Sequence, residues 1–276
     1  MNIYKHKIDR RANKVGLFCN ARDEKNIKEW AAHHLLIGFD VIVIFDHKSK
    51  IQLKEIFSNF DKRVSIIRIN LQDGNIKTYL MNYASNIAKR LKLDWFIYLD
   101  ADEFLILSSY FKGVKHFLNT YSYGDSIGVN WLMFGSNYLV EDPSGSILES
   151  YTKSCTHLDK HVKSFVRPEE VITNDNPHYY HIRNKLKSIG LRFNVLKSPQ
   201  CFSELNIPFY QSPAYIAHYI FQSEETYLKR KINIIADDGT KRLNMGKDVH
   251  QLYNDVVNLQ PQKYVNDIKN FLNYLG

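Results

Sequence analysis

Three carboxylates stand within four positions at Asp100-Ala101-Asp102-Glu103, directly after the apolar run Trp95-Phe96-Ile97-Tyr98-Leu99. In an extended chain, side chains two apart face the same way, so Asp100 and Asp102 are expected on one side, with Ala101 and Glu103 on the other. Like charges held together at a strand's end invite a cation. Hard oxygen ligands suit Mg2+ or Mn2+, whose remaining positions go to water and substrate phosphates. Taken alone, D-x-D reads equally well as an acidic turn capping a core strand. The apolar run Phe104-Leu105-Ile106-Leu107 that follows favours a site, because acids between two buried segments are costly unless paired or metal-bound.

The elements that would position these acids precede them. Val15 to Cys19, Val41 to Phe45, Val64 to Ile69 and Trp95 to Leu99 are short apolar or β-branched runs that predict buried strands. Between them Ile27, Trp30, Ala31, His34 and Leu35 recur at helical spacing, with Asp23 as the expected N-cap and Gly38 as the stop. A short helix is expected over Leu53 to Phe57, and Ile76 to Leu91 keeps the helical period for four turns. Strand and helix alternating in this way predict an α/β domain with a mostly parallel sheet flanked by helices. Ligands of such sheets bind beyond the carboxyl ends of the strands. Asn20 to Glu24, Asp46 to Ser49 and Asp100 to Glu103 each follow a strand's end, so these clusters are expected to converge on one cleft.

Later in the chain, a helix is expected over Phe111 to Asn119, strands over Ile127 to Phe134 and Lys160 to Arg167, and a binding loop over Gly135 to Ser146. Pro177, Pro199, Pro208 and Pro213 cut the next stretch into short pieces. Ser223 is the expected N-cap of a helix carrying Glu224 and Glu225 in its first turn, and Gln262 to Leu275 predicts a last helix.

The chain has 276 residues, 44% hydrophobic and 24% charged, which is ordinary for a globular protein able to bury a sizeable core. Its formal charge of +8 favours anionic partners: nucleotides, phosphates, nucleic acid or a membrane surface. The lysines are scattered, without a basic tail or aromatic-interleaved patch, so a dedicated nucleic-acid binder is not expected. Cys19, Cys155 and Cys201 are far apart, which argues against a disulfide framework or zinc knuckle and fits a reducing compartment such as the cytoplasm. Met1 to Lys14 lacks an apolar core, so no signal peptide is expected, and no run is long enough for a transmembrane helix. No G-x-G-x-x-G or Walker-type loop is present. Phosphates would have to be held by a metal and by Lys or Arg.

With these residues in place, the chain resembles GT-A-type glycosyltransferases of the family 2-like and family 92-like group, from the first strand to about Ile232. Asn20-Ala21-Arg22-Asp23-Glu24 with Trp30 and His34 is similar to the group's N-E-x(n)-E-W-x(3)-H opening, and Phe45-Asp46-His47-Lys48-Ser49 to its Y-D-x-x-S element. Asp94-Trp95 through Phe104 is similar to D-W-x(4)-D-x-D-E-F, and Asn130-Trp131 through Asn137 to N-W-x-x-F-G-S-x-G. Lys163 to Val171 resembles K-x-x-V-R-P-x-x-V, and His218-Tyr219 with Ser223, Glu225 and Lys229 resembles H-Y-x(3)-S-x-E-x(3)-K. Two departures stand out: Lys50-Ile51-Gln52 replaces an expected acidic residue, and Tyr138 replaces the glycine after F-G-S-x.

The resemblance implies a GT-A domain over 1–235 with a helical extension over 236–276. It also implies transfer from a nucleotide-diphosphate sugar to a glycan, glycoprotein or glycolipid hydroxyl, with Mn2+ or Mg2+ as cofactor and inversion at the anomeric carbon. Asp102, His218 and Asp100 would then be the metal ligands. Asn20, Arg22, Glu24, Asp46, Lys48, Asp100, Lys163 and Arg167 would hold the donor, and Trp131, Phe134, Gly135 and Ser136 would line the acceptor side. For the general base, Glu169, Glu170, Asp175 and Glu225 all remain open. The plainer readings are a core role for His218 and Trp131, a turn role for Asp46, and a helix-terminus role for Glu225. A nucleotidyltransferase of related fold, or a catalytically silent binding module, are the competing functions.

Overall fold

The computed structural model describes residues 10–72, 76–197, 200–233, 241 and 246–275. Pro199 and the expected domain boundary at 235/236 lie outside the described residues, as does most of the polar start at 1–9. The elements are β1 (Val15–Ala21), α1 (Ile27–Leu36), β2 (Val41–His47), α2 (Leu53–Ile56), β3 (Val64–Ile69), α3 (Ile76–Arg90), β4 (Trp95–Tyr98), β5 (Glu103–Leu107), α4 (Val114–Thr120) and β6 (Ser126–Met133). There follow α5 (Ile147–Ser150), β7 (Lys153–Ser154), β8 (Val162–Val166), β9 (Val171–Asn176), β10 (Tyr179–Ile182), β11 (Ser188–Ile189), β12 (Ala214–His218), α6 (Glu224–Tyr227), β13 (Val256–Val257) and α7 (Val265–Tyr274).

Strand periodicity explains the layers. On β1, β2 and β4 the residues Leu17, Ile42, Ile44, Trp95 and Ile97 point into a core shared with α1, α4 and α7. Their neighbours Phe18, Val43, Phe45, Phe96 and Tyr98 point the other way, onto Leu80, Met81 and Ala84 of α3. Each such side chain, fully buried, stabilises the fold by roughly 1.5–3 kcal/mol before chain entropy is counted. α1 ends at Gly38, whose φ of +105° is open to glycine at little cost. Its start differs from expectation: the N-cap is Asn26, while Asp23 sits at φ +53° and accepts a hydrogen bond from the Lys50 N–H at 2.7 Å. A chain that turns left-handed at Asp23 is too early to enter the helix there.

The expectation of a mostly parallel sheet holds for its first half. Strand order is β3-β2-β1-β4-β8-β6-β12-β5, with β11 beside β6. β3, β2, β1 and β4 are parallel. Beyond them the sheet is mixed: β8 runs antiparallel to β4 and β6, and β5 antiparallel to β12. β4 and β5 are consecutive in sequence yet are not neighbours in the sheet, and the acidic turn between them meets Lys163 of β8 and Tyr219 just after β12. The C-terminal part contacts this body at several points. β13 pairs with β7, Asn258 Nδ2 donates to the Tyr215 hydroxyl at 3.3 Å, and Tyr264 packs on His33.

Candidate active site

The turn after β4 separates its carboxylates. Residues 100–102 are not extended: the Glu103 N–H donates to Asp100 O at 3.1 Å, closing a turn. The expected alternation therefore fails, and Asp100 sides with Glu103, not with Asp102. Asp100 is ion-paired with Lys77 of α3 and, at 3.1 Å, with Lys163 of β8. Lys163 Nζ also lies 3.5 Å from Glu103 Oε2 and donates to Pro177 O at 3.2 Å. Burial pushes the Glu103 carboxyl up, and Lys163 and Lys77 only partly offset it. Lys163 is buried. Its ammonium is enclosed by these acceptors.

Asp102 turns the other way and is 2% exposed. The antiparallel register of β12 on β5 places His218 opposite Glu103, and the Tyr219 N–H donates to Asp102 O at 2.9 Å. His218 Nε2 then lies 3.8 Å from Asp102 Oδ1. The other oxygen faces a π-helical turn, Leu228–Ile232, that continues α6. Lys231 Nζ is 2.7 Å and Arg230 Nη2 3.8 Å from Oδ2. Burial alone would raise this carboxyl; Lys231, His218 and Arg230 outweigh it and hold Asp102 well below the usual carboxylate range. Wide π turns recur at functional sites, and this one brings two successive cations to one acid.

Next to this turn is a cavity of about 600 Å³, within the range of small-molecule sites. Ala101 and Arg230 form part of its wall, with Arg22, Glu24, Lys50 and Asp142. Glu24 is paired with Arg230; burial is the main force on its carboxyl and raises it. Asp142 accepts from the hydroxyls of Ser223 and Thr226, which with Lys25 hold it low against the effect of burial.

The other sequence candidates are distributed as follows. Asn20 accepts from the Tyr98 hydroxyl at 3.0 Å at the end of β1. Asp46 accepts from the N–H groups of Ser49 and Leu53 and, at 2.7 Å, from Arg68, so it shapes the loop after β2 in which Lys48 takes φ +60°. Trp131 is half-buried with its ring 4.4 Å from that of His218 and 5.0 Å from His178. Phe134 is wholly buried against Tyr219. A Cβ on Gly135 would meet Asn254 at 2.3 Å, and Ser136 is buried with its hydroxyl 2.6 Å from His250 Nδ1. These three shape the loop from within.

Arg167 and Glu170 lie elsewhere, because β8 runs antiparallel to β4. Its first residues reach the acidic turn and its last reach the opposite end of the sheet. There Arg167 stacks on Trp95 and donates to Arg10 O at 2.8 Å, and Glu170 O accepts from the Arg183 N–H. Glu169 shares that turn. Asp175 is an exposed partner of His181. Glu225 is placed near the cavity, where it accepts from the Asp142 N–H at 2.9 Å and pairs with Lys229; the Lys229 hydrogen bond lowers its carboxyl. Sequence reading missed Lys77, Arg230, Lys231 and Asp142, which carry no motif and read as surface charge.

At one end of the α/β sheet a buried carboxylate, a histidine and a mixed-charge cavity thus stand close together. A profile of glycosyltransferase family 92 matches residues 16–258, and the chain belongs to that family. It is a glycosyltransferase with an α/β fold. Among solved structures, similarity is seen to HddC from Yersinia pseudotuberculosis, at 12% identity and a TM-score of 0.39, covering 78% of this chain and 96% of that one. TarS 1-349 from S. aureus, solved in complex with UDP, is similar at 10% identity and a TM-score of 0.39, covering 93% and 71%. A search of curated proteins finds no match. Among the described residues no helix is long and apolar enough to cross a membrane.

Proposed function

We propose that the protein transfers a sugar, with inversion, from a nucleotide-diphosphate sugar to a hydroxyl of a glycan, glycoprotein or glycolipid. The observation that carries this reading is Asp102: buried, ionised, beside His218 and next to the cavity. Among the described residues no group of three His, Cys, Asp or Glu side chains is arranged to hold a metal. The Asp102 oxygen and His218 nitrogen nevertheless fit Mn2+ or Mg2+ in a site completed by diphosphate oxygens and water. Such an ion supplies Lewis-acid stabilisation of the leaving diphosphate. Asp102 and His218 would hold it, while Arg230 and Lys231 neutralise the remaining charge. Arg22 and Lys50 would meet the nucleotide part, and the Trp131 face the acceptor. For the acceptor proton, Glu24 is a stronger base than Glu225 or Asp142, because its carboxyl is raised and theirs are held low.

A second, metal-free reading is favoured by Lys231, which already lies 2.7 Å from Asp102. There Lys231 and Arg230 alone would carry the diphosphate charge. Donor hydrolysis and thermal shift are measured over a panel of UDP-, GDP-, TDP- and CMP-sugars, with Mn2+ and with EDTA. Metal-dependent stabilisation by at least one diphosphate donor is expected, with turnover falling about 10²-fold or more in Asp102→Ala. Turnover that survives EDTA selects the metal-free reading, and an Asp102→Ala protein as active as wild type removes the site.

A further inference from the structure

We propose that the hairpin over 183–197, at the end of the sheet opposite the acidic turn, docks the protein on a bilayer bearing anionic headgroups. From Asn176 to Ser203 the sequence contains no Asp or Glu, while Arg183, Lys185, Lys187, Arg192 and Lys197 all fall within it. A stretch this rich in one sign is complementary to a negative surface. Lys187 donates to Tyr123 O at 2.8 Å. Among the described residues, Lys185, Arg192 and Lys197 form no ion pair and are exposed. Of the carboxylates packed nearby, Asp125 is paired with Arg10, and Glu170 stands behind Arg183, whose N–H binds its carbonyl.

The hairpin also carries apolar side chains outward. Leu186 is 73% exposed, Phe193 47% and Val195 47%, with Tyr123 of the adjoining turn at 43%. The frame is rigid: Gly190 N–H donates to Asn194 O, Leu196 N–H to Ser188 O, and Ser188 and Ile189 of β11 pair with β6. Within it Phe193 is held at φ +61°, an uncommon and strained conformation for a bulky residue. The Tyr123 hydroxyl donates to its carbonyl at 3.0 Å and the Tyr121 ring stacks on it at 4.6 Å. The part of the Phe193 ring left in solvent gains nothing in water and would gain at an apolar boundary.

The chemistry favours a bilayer over other polyanions or a protein. One face of Phe193 is already covered by Tyr121, and Leu186 and Val195 are aliphatic, so the hairpin offers little for base stacking. Protein interfaces are depleted of lysine at their centres, whereas Lys185 and Lys187 directly flank the exposed Leu186 here. Cations around apolar tips match a headgroup layer above acyl chains. The hairpin joins the sheet beside Ser126, whose partner Val166 pairs with Phe96 near the start of β4. Docking there leaves the Asp102 end facing water and open to a soluble donor.

Full-length protein is sedimented with vesicles of phosphatidylcholine alone and of equal parts phosphatidylcholine and phosphatidylglycerol, at low and high salt. Wild type is expected to pellet with the anionic vesicles, less at high salt, and not with the neutral ones. At about fivefold per cation, Lys185→Glu with Arg192→Glu should weaken binding about 25-fold or more. Leu186→Ser with Phe193→Ser should weaken it with the charges intact, and both variants should keep the wild-type melting temperature. If the apolar variant does not fold, the charge variant, built at exposed positions, still decides. Pelleting with neither vesicle, equal pelleting with both, or a charge variant that binds like wild type overturns the proposal. So does retention on a heparin column without vesicle binding.

Discussion

Asp100 and Asp102 are two residues apart and share one turn, yet they live in different chemistry. Asp100 and Glu103 share Lys163, with Lys77 behind, in a cluster whose Glu103 and Lys163 are buried while Asp100 is 29% exposed. Asp102 faces a helical turn whose cations approach from one side only, next to an open cavity. The first arrangement is a fastening, and the second is the one proposed to bind. Their difference shows how a single backbone turn sends two acids of one D-x-D to different partners, Asp100 to Lys77 and Lys163, Asp102 to Lys231 and Arg230.

Lys163→Met tests the fastening most severely. It leaves Glu103 buried without its nearest cation and should destabilise the protein by about 3 kcal/mol or more, read from urea unfolding. A loss under about 1 kcal/mol would mean that the cluster does not hold the turn. The core histidines supply a control for pH effects. His33 is completely buried, and burial lowers its pKa to about 4 from 6.5. Below pH 6.5 the unfolded chain takes up a proton that folded His33 refuses, so its contribution is present above that pH and is lost as pH falls towards 4. Against His33→Gln, the wild-type advantage should shrink by about 3 kcal/mol over that window. Asp102, held low, should add nothing to this change. A gap independent of pH would refute the assignment to His33.

The smallest effect concerns the approach of the cations to Asp102. Ser223 Oγ accepts from the Thr226 N–H at 3.0 Å and starts the helix that ends in Arg230 and Lys231. Ser223→Ala should cost about 1 kcal/mol in thermal or urea unfolding. If the Asp102 side is the adjustable one, donor affinity should fall in this variant while the Lys163 cluster stays intact.

The sequence was most legible where local signals decide. β3 is found at its expected residues, and α3 and Ser223's cap follow from periodicity and residue type. Asp102 and His218 were nameable from the motif, and the structure puts them together. What escaped was set by long-range pairing. The antiparallel course of β8 moved Arg167 and Glu170 to the far end, and nothing in their local sequence encodes strand direction. The turn at Asp100 broke a two-residue alternation that holds only for extended chain. Lys77 and Lys231 carry no motif, since a lysine on a helix reads as solvated until its partner is known.

Trp30, His33 and His34 sit in the motif-bearing helix α1 and turn to the backbone of β5. The Trp30 indole N–H donates to Glu103 O at 2.8 Å, His33 Nε2–H to Leu105 O at 2.8 Å, and the Leu105 N–H donates to His34 Nε2 at 3.3 Å. These are groups on the side of β5 that β12 does not use. Three side chains thus occupy the outer side of β5, one of the two edges of the sheet, as a neighbouring strand would. An unpaired edge is a template for another chain, and here it is closed by rings that satisfy its backbone in register. At this edge the barrier to a further strand therefore resides in a helix, and rests on His33 and His34 staying neutral.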